Sequence, residues 1–90
     1  MDIQNKRLGD FFAQVVKSDL RDWNMTSETT AANGALKREF ENKATREKLQ
    51  VTERTYFDPL DEMEVTSIRA TGTHNGRHVG VSLIIKPMID

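Results

Sequence analysis

The stretch "THNGRH", residues 73–78, gathers both histidines of the chain and an arginine at one place. Two imidazoles so near each other could share a metal ion or a proton, provided that their rings point the same way. The elements around them decide against it. Asn75 and Gly76 form the preferred pair for a two-residue type I′ turn, and the runs on either side alternate apolar with small or polar residues, so the stretch predicts a β-hairpin. With this loop Ile68 faces Leu83, Ala70 faces Val81 and Gly72 faces Val79 on one side, while Arg69 meets Ser82 and Thr71 meets Gly80 on the other. His74 then has the parity of Gly72, whereas His78 opposes Thr73 and has the parity of Ser82, so the rings leave opposite faces. The expectation is two turn histidines, with no metal and no cofactor.

The remaining chemistry-bearing residues are similarly unpromising for catalysis. Asp58, Asp61, Glu62 and Glu64 in "DPLDEME" lack the alternate-position ligands and central glycine of a calcium loop, and read as a solvated acidic loop entering a strand. Ser18, Ser27, Ser67 and Ser82 have no nucleophile-elbow motif around them, and the five glycines are scattered rather than gathered in a phosphate-binding loop. There is no cysteine, hence neither thiolate chemistry nor a disulfide framework. The sequence therefore predicts no enzyme.

Ninety residues, 37% hydrophobic and 30% charged, make one ordinary globular domain spanning 1–90. A formal net charge of −1 argues against a dedicated nucleic-acid or membrane-surface binder, and any such binding would be local. No apolar run is long enough to span a membrane, and "MDIQNKRLGD" has no signal-peptide core, so the expected location is cytoplasmic.

Leu8, Phe11, Phe12, Val15, Val16 and Leu20 fall at helical spacing and predict a first helix, capped by Asp2 or Asn5, with Trp23 and Met25 folding back over its core. Asn33 and Gly34 interrupt anything helical begun at Thr26 to Thr30. Beyond them Leu36, Phe40 and Ala44 trace a thin stripe, supported by Glu39–Lys43 and Lys43–Glu47 pairs, that predicts a second, surface-facing helix starting near 27 or near 34. "KLQVTERTYF" continues that helix or turns into a strand, and Asp58-Pro59 ends it in either case. The hairpin then runs over about 63–73 and 77–86. Below Ile68 the next apolar residue is Val65 rather than Thr66, so a bulge near Thr66 and Ser67 is expected to bring Val65 opposite Ile85.

The predicted fold is α+β, two N-terminal helices packed on a C-terminal antiparallel β-hairpin or three-stranded sheet. An isolated hairpin is marginal, so either 50–57 or another chain completes the sheet. The apolar end "VGVSLIIKPMID" has Ile84 on the face opposite Val81, Leu83 and Ile85, with Met88 and Ile89 beyond Pro87. These six are the candidate contacts to a protein partner or a second copy. A second candidate surface is basic: Lys37, Arg38, Lys43, Arg46 and Lys48, with Arg54, lie on the charged segment 37–54 and would bind nucleic acid if they shared a helix face. Their interleaving with Glu39, Glu41, Glu47 and Glu53 favours a solvated ion-paired surface instead.

In "YFDPLDEMEVTSIRATGTHNGRHVGVSLIIKP" the order aromatic, acid, proline (Phe57, Asp58, Pro59), then two long strands about a polar turn, resembles the C-terminal half of the baseplate-wedge, or sheath-initiator, proteins of contractile phage tails. The resemblance covers residues 56–87. It implies a helix ending at Pro59, a hairpin that joins strands of neighbouring subunits, and a structural virion protein without catalytic residues.

Overall fold

Two of the three Asn/Gly-bearing or loop-forming breaks in the chain turn out to do the same thing: they reverse a strand. In the computed structural model, which describes residues 3–86, helix α1 (Ile3–Phe11) continues as a π-helical turn (Phe12–Val16) and a short 3₁₀ turn (Leu20–Asp22). Five strands follow: β1 (Trp23–Thr30), β2 (Leu36–Asn42), β3 (Lys48–Asp58), β4 (Met63–His74) and β5 (Arg77–Ile85). They form one antiparallel meander in the order β1-β2-β3-β4-β5. The fold is thus mostly β, with one short helix on a five-stranded sheet, and corrects the expectation of two helices on a hairpin or three-stranded sheet.

The first helix lies where its apolar spacing put it. Leu8, Phe11, Phe12 and Val16 are buried against Trp23, Phe40, Leu49, Val51, Ile68 and Ala70. Phe12 is the hub, with ring centroids 5.2 Å from Phe40, 5.9 Å from Trp23 and 6.2 Å from Phe11 in tilted or edge-to-face arrangements, the geometry that aromatic quadrupoles favour. The helix stops at Lys17, which turns left-handed at φ 66 with its N–H on the Phe12 carbonyl. Asn5 lies within α1 and caps nothing, and Asp2 lies outside the described residues. Trp23 does fold back over the core, but Met25 is 52% exposed.

The expected second helix does not exist. Asn33 and Gly34 sit instead in the turn between β1 and β2, where Gly34 adopts φ 86 and Ala31 and Ala35 close the loop through Ala31 N–H to Ala35 O, 2.8 Å. The stripe Leu36, Phe40, Ala44 looked helical because the inward positions between and after its members, Arg38 and Asn42, carry polar letters. Both are buried, at 2% and 6% exposure, and both have partners. Of the two readings of 48–57, the strand is the one observed, and with it goes the helix before Pro59 that the phage-tail resemblance implied.

The β4–β5 hairpin follows the predicted register residue for residue from Ile68↔Leu83 to Thr73↔His78, and Asn75 and Gly76 take φ 54 and 73, the positive values a type I′ turn demands. The predicted bulge is absent: Thr66 pairs with Ile85 and Ser67 with Ile84 without a shift. Val65 needs none, because it is buried at 1% exposure across from Tyr56, on the parity of Ser67 and Ile84, outside the cluster under the helix. The irregularity in the sheet lies in β1 instead, between Met25 and Ser27.

Candidate functional site

Three places on this frame concentrate polar groups or open backbone, and each grows from a local sequence rule.

The first is the turn that opened the argument. Glu47, in the β2–β3 loop, reaches the β4–β5 turn and accepts Asn75 N–H and Gly76 N–H at 2.8 Å each, one per carboxylate oxygen. The loop can present it because Asn42 folds the chain back, its side-chain oxygen accepting Ala44 N–H and Thr45 N–H. His74 lies on the core side with its ring 5.4 Å from Trp23, and Trp23 donates its indole N–H to Ser18 Oγ at 2.9 Å. His78 is exposed on the other side, so the two imidazoles are held apart by the sheet. The two backbone donors, Gly76 first, hold the Glu47 carboxyl below its ordinary value of 4.5. A depressed carboxyl stabilises the fold above its unfolded pKa and loses that contribution as pH falls through the folded one. In an NMR titration the amide shifts of Asn75 and Gly76 will therefore move together with a midpoint below 4.5, and Glu47→Gln will abolish the transition. A midpoint at the ordinary glutamate value would contradict the clamp.

The second is a charged cluster beneath the helix. Glu53 has inward parity on β3, opposite Leu36, and lies between two guanidiniums: Arg7 of α1 at 2.8 Å and Arg38 of β2 at 3.4 Å. Arg38 also reaches Glu28 of β1 at 3.0 Å. Four residues from α1, β1, β2 and β3 thus tie the polar end of the core together, and the pairing explains how a buried arginine is tolerated.

The third is the β5 edge. The two margins of the sheet are β1 and β5, and they are defended differently. β1 is bulged, polar and exposed along its whole length after Trp23, features that discourage pairing with another chain. β5 is regular, and between Val79 and Ile85 it holds no charge and no proline. Its side chains Val79, Val81, Leu83 and Ile85 are half-buried on the helix side, and Ile84 is 48% exposed on the other. A groove of about 320 Å³ runs beside it between Arg7, Asp10, Phe11 and Gln14 of the helix and Leu83 and Ile85.

Of the predicted partner contacts, then, Val81, Leu83 and Ile85 share one face, Ile84 the other, and Met88 and Ile89 lie outside the described residues. The predicted basic surface is dispersed rather than assembled. Lys37 points away from the helix side, Arg38 is buried, Lys43 and Arg46 sit in the β2–β3 loop with Arg46 paired to Glu41 at 3.2 Å, and Lys48 opens β3. Sequence reasoning missed the Arg7–Glu53–Arg38–Glu28 cluster. The signal was present, since reading Asn33-Gly34 as a turn places Glu28 across from Arg38.

No helix among the described residues is long and apolar enough to cross a membrane. The chain matches no protein-family model, no curated protein and no solved structure.

Proposed function

We propose that this chain is a non-enzymatic assembly component that adds strand β5 to a second copy of itself. The observation that carries the reading is the unequal treatment of the two sheet margins: β1 has a bulge and polar side chains, and β5 has neither. An unguarded regular edge offers a row of backbone donors and acceptors to another strand.

Self-pairing is the occupant that the β5 sequence fits. An antiparallel pair about Ser82 sets Leu83 against the copy's Val81 and Ile85 against its Val79, which continues the apolar face, and sets the exposed Ile84 over Gly80, where no side chain competes for the space. An axis at Val81 would put Ile84 against His78, and one at Leu83 would put Gly80 against Lys86. Because the chain itself supplies five strands, the assembly reading no longer draws on an incomplete hairpin and rests on the edge alone. A virion tail, in which subunits join through strands, is the narrower form of this proposal and is supported only by the resemblance of residues 56–87.

Light scattering tests it. The wild-type chain is expected to be dimeric. Ser82→Lys, which sets like charges directly opposite each other across the axis, is expected to weaken association by about tenfold or more while leaving the exposed site's fold intact. Thr29→Lys on β1 is expected to change nothing. A strict monomer at every accessible concentration contradicts the proposal.

A further inference from the structure

The face of the sheet turned away from the helix carries an arrangement that the assembly reading leaves unused. Lys37, Thr52, Arg69 and Ser82 form one cross-strand row over β2, β3, β4 and β5. Arg54 lies two residues from Thr52 on the same side of β3, opposite Ser67. Three cations therefore surround Thr52. Arg54, Arg69, Gln50, Thr52, Ser67 and Thr71 line a single concavity of about 530 Å³, closed at one end by Tyr56, whose ring centroid is 5.4 Å from the Arg54 guanidinium carbon.

None of Lys37, Arg54 and Arg69 has an ion-pair partner among the described residues, although acids are abundant elsewhere and engage Arg7, Arg21, Arg38, Arg46 and Lys86. The one acid adjoining the row on this face is Glu39, across from Gln50. Like charges on neighbouring strands repel, so stability does not account for the grouping. In a chain of net charge −1 the positive field is local to this concavity, and the groups between the cations are neutral hydroxyls and an amide able to donate hydrogen bonds.

We infer that this face binds the phosphodiester backbone of a single-stranded nucleic acid. The cations do not converge on one point: Lys37 and Arg69 are two strands apart, roughly 10 Å at the usual strand spacing, which suits successive phosphates better than a single one. Guanidinium groups give bidentate contacts to phosphate oxygens, with Thr52, Ser67 and Thr71 donating between them. Stacking on Tyr56 holds the Arg54 guanidinium over the ring before any ligand arrives. The site is an open sheet face with no helix to enter a duplex groove, the form in which basic sheet surfaces take unpaired strands.

The test is fluorescence anisotropy with labelled oligothymidine, its RNA counterpart and a duplex of equal length. Single strands are expected to bind, with affinity that falls as salt rises. Arg54→Gln with Arg69→Gln is expected to lower affinity about tenfold or more and to reduce the salt slope by about 2, one for each lost phosphate contact. Arg46→Gln, at an ion-paired loop arginine, removes one charge elsewhere and is expected to shift affinity less than about twofold. Thr52→Glu provides a second probe, since it puts an acid among the cations and is expected to abolish binding with the melting temperature unchanged. The DNA and RNA arms tell which strand the face prefers. Absence of binding to either strand at low salt overturns the inference, as does binding unaffected by the double variant, or equal competition by inorganic phosphate, which would mark a single-anion site.

Discussion

Glu53→Ala is expected to lower folding stability by about 3 kcal/mol or more, in the range found when one partner of a buried ion pair is removed. The reason is asymmetry. Arg38 has a side chain only 3% exposed, and Glu53, 13% exposed, is one of its two anionic neighbours as well as the only ion-pair partner of Arg7 among the described residues. Deleting the carboxylate leaves two guanidiniums facing each other beneath the helix. Arg38 retains Glu28, a partner 47% exposed and therefore screened, which is why the expected loss sits at the lower end of that range. Replacing the pair together, Arg38→Met with Glu53→Leu, removes the orphaned charge and is expected to cost less than the single substitution. Urea denaturation of the two variants and of Arg38→Met alone checks this. A Glu53→Ala loss below about 1 kcal/mol would mean that the cluster behaves as a surface pair.

The second large effect concerns backbone contact rather than charge. Gly72 holds φ 146, a region that L residues rarely adopt, and it lies directly opposite Leu49 in the β3–β4 ladder. A Cβ built there runs into the Lys48 carbonyl oxygen and comes within 3.0 Å of the Leu49 Cα, neither of which can turn aside as a side-chain tip could. Gly72→Ala is therefore expected to destabilise by about 3 kcal/mol or more, combining backbone strain with overpacking, or to prevent folding. Gly80, where a Cβ meets nothing within 4 Å, is the control: Gly80→Ala is expected to be neutral or slightly stabilising. The comparison is best made on the Ser82→Lys background, so that pairing between copies does not enter. Thermal melts that place the two alanine variants together would contradict the close approach.

These two sites show what was legible in the letters and what was not. The hairpin about Asn75-Gly76 could be read to the residue because its inward positions, Ile68, Ala70, Val79, Val81 and Leu83, are apolar, so pattern and turn agree. The same dipeptide at Asn33-Gly34 makes the same kind of reversal, yet reads as a helix breaker. There the inward positions of β2 alternate Leu36, Arg38, Phe40, Asn42, and β1 answers with Glu28 and Thr30. Burying an arginine and an asparagine with their partners erases the period of two and leaves an accidental spacing of four. Glu53 breaks the alternation of Leu49 and Val51 in the same way, so β3 looked like the tail of a helix. The partner-facing residues proposed for the terminal strand keep their places. The basic surface proposed for 37–54 depended on a helix and lost its geometry with it, while the cations on the outer face, Lys37, Arg54 and Arg69, come together only through strand pairing across three strands.

The central claim, that β5 pairs with β5 of a second copy about Ser82, can be read from one cross-link. The chain has no cysteine, so Ser82→Cys carries a single thiol. Directly opposed residues in an antiparallel pair have Cα atoms about 4.5–5.5 Å apart, within the span a disulfide bridges. Mild oxidation of this variant is expected to give a covalent dimer in high yield, while Thr29→Cys on β1 stays unlinked. A Ser82→Cys chain that remains monomeric, or a Thr29→Cys chain that links in its place, would contradict the account.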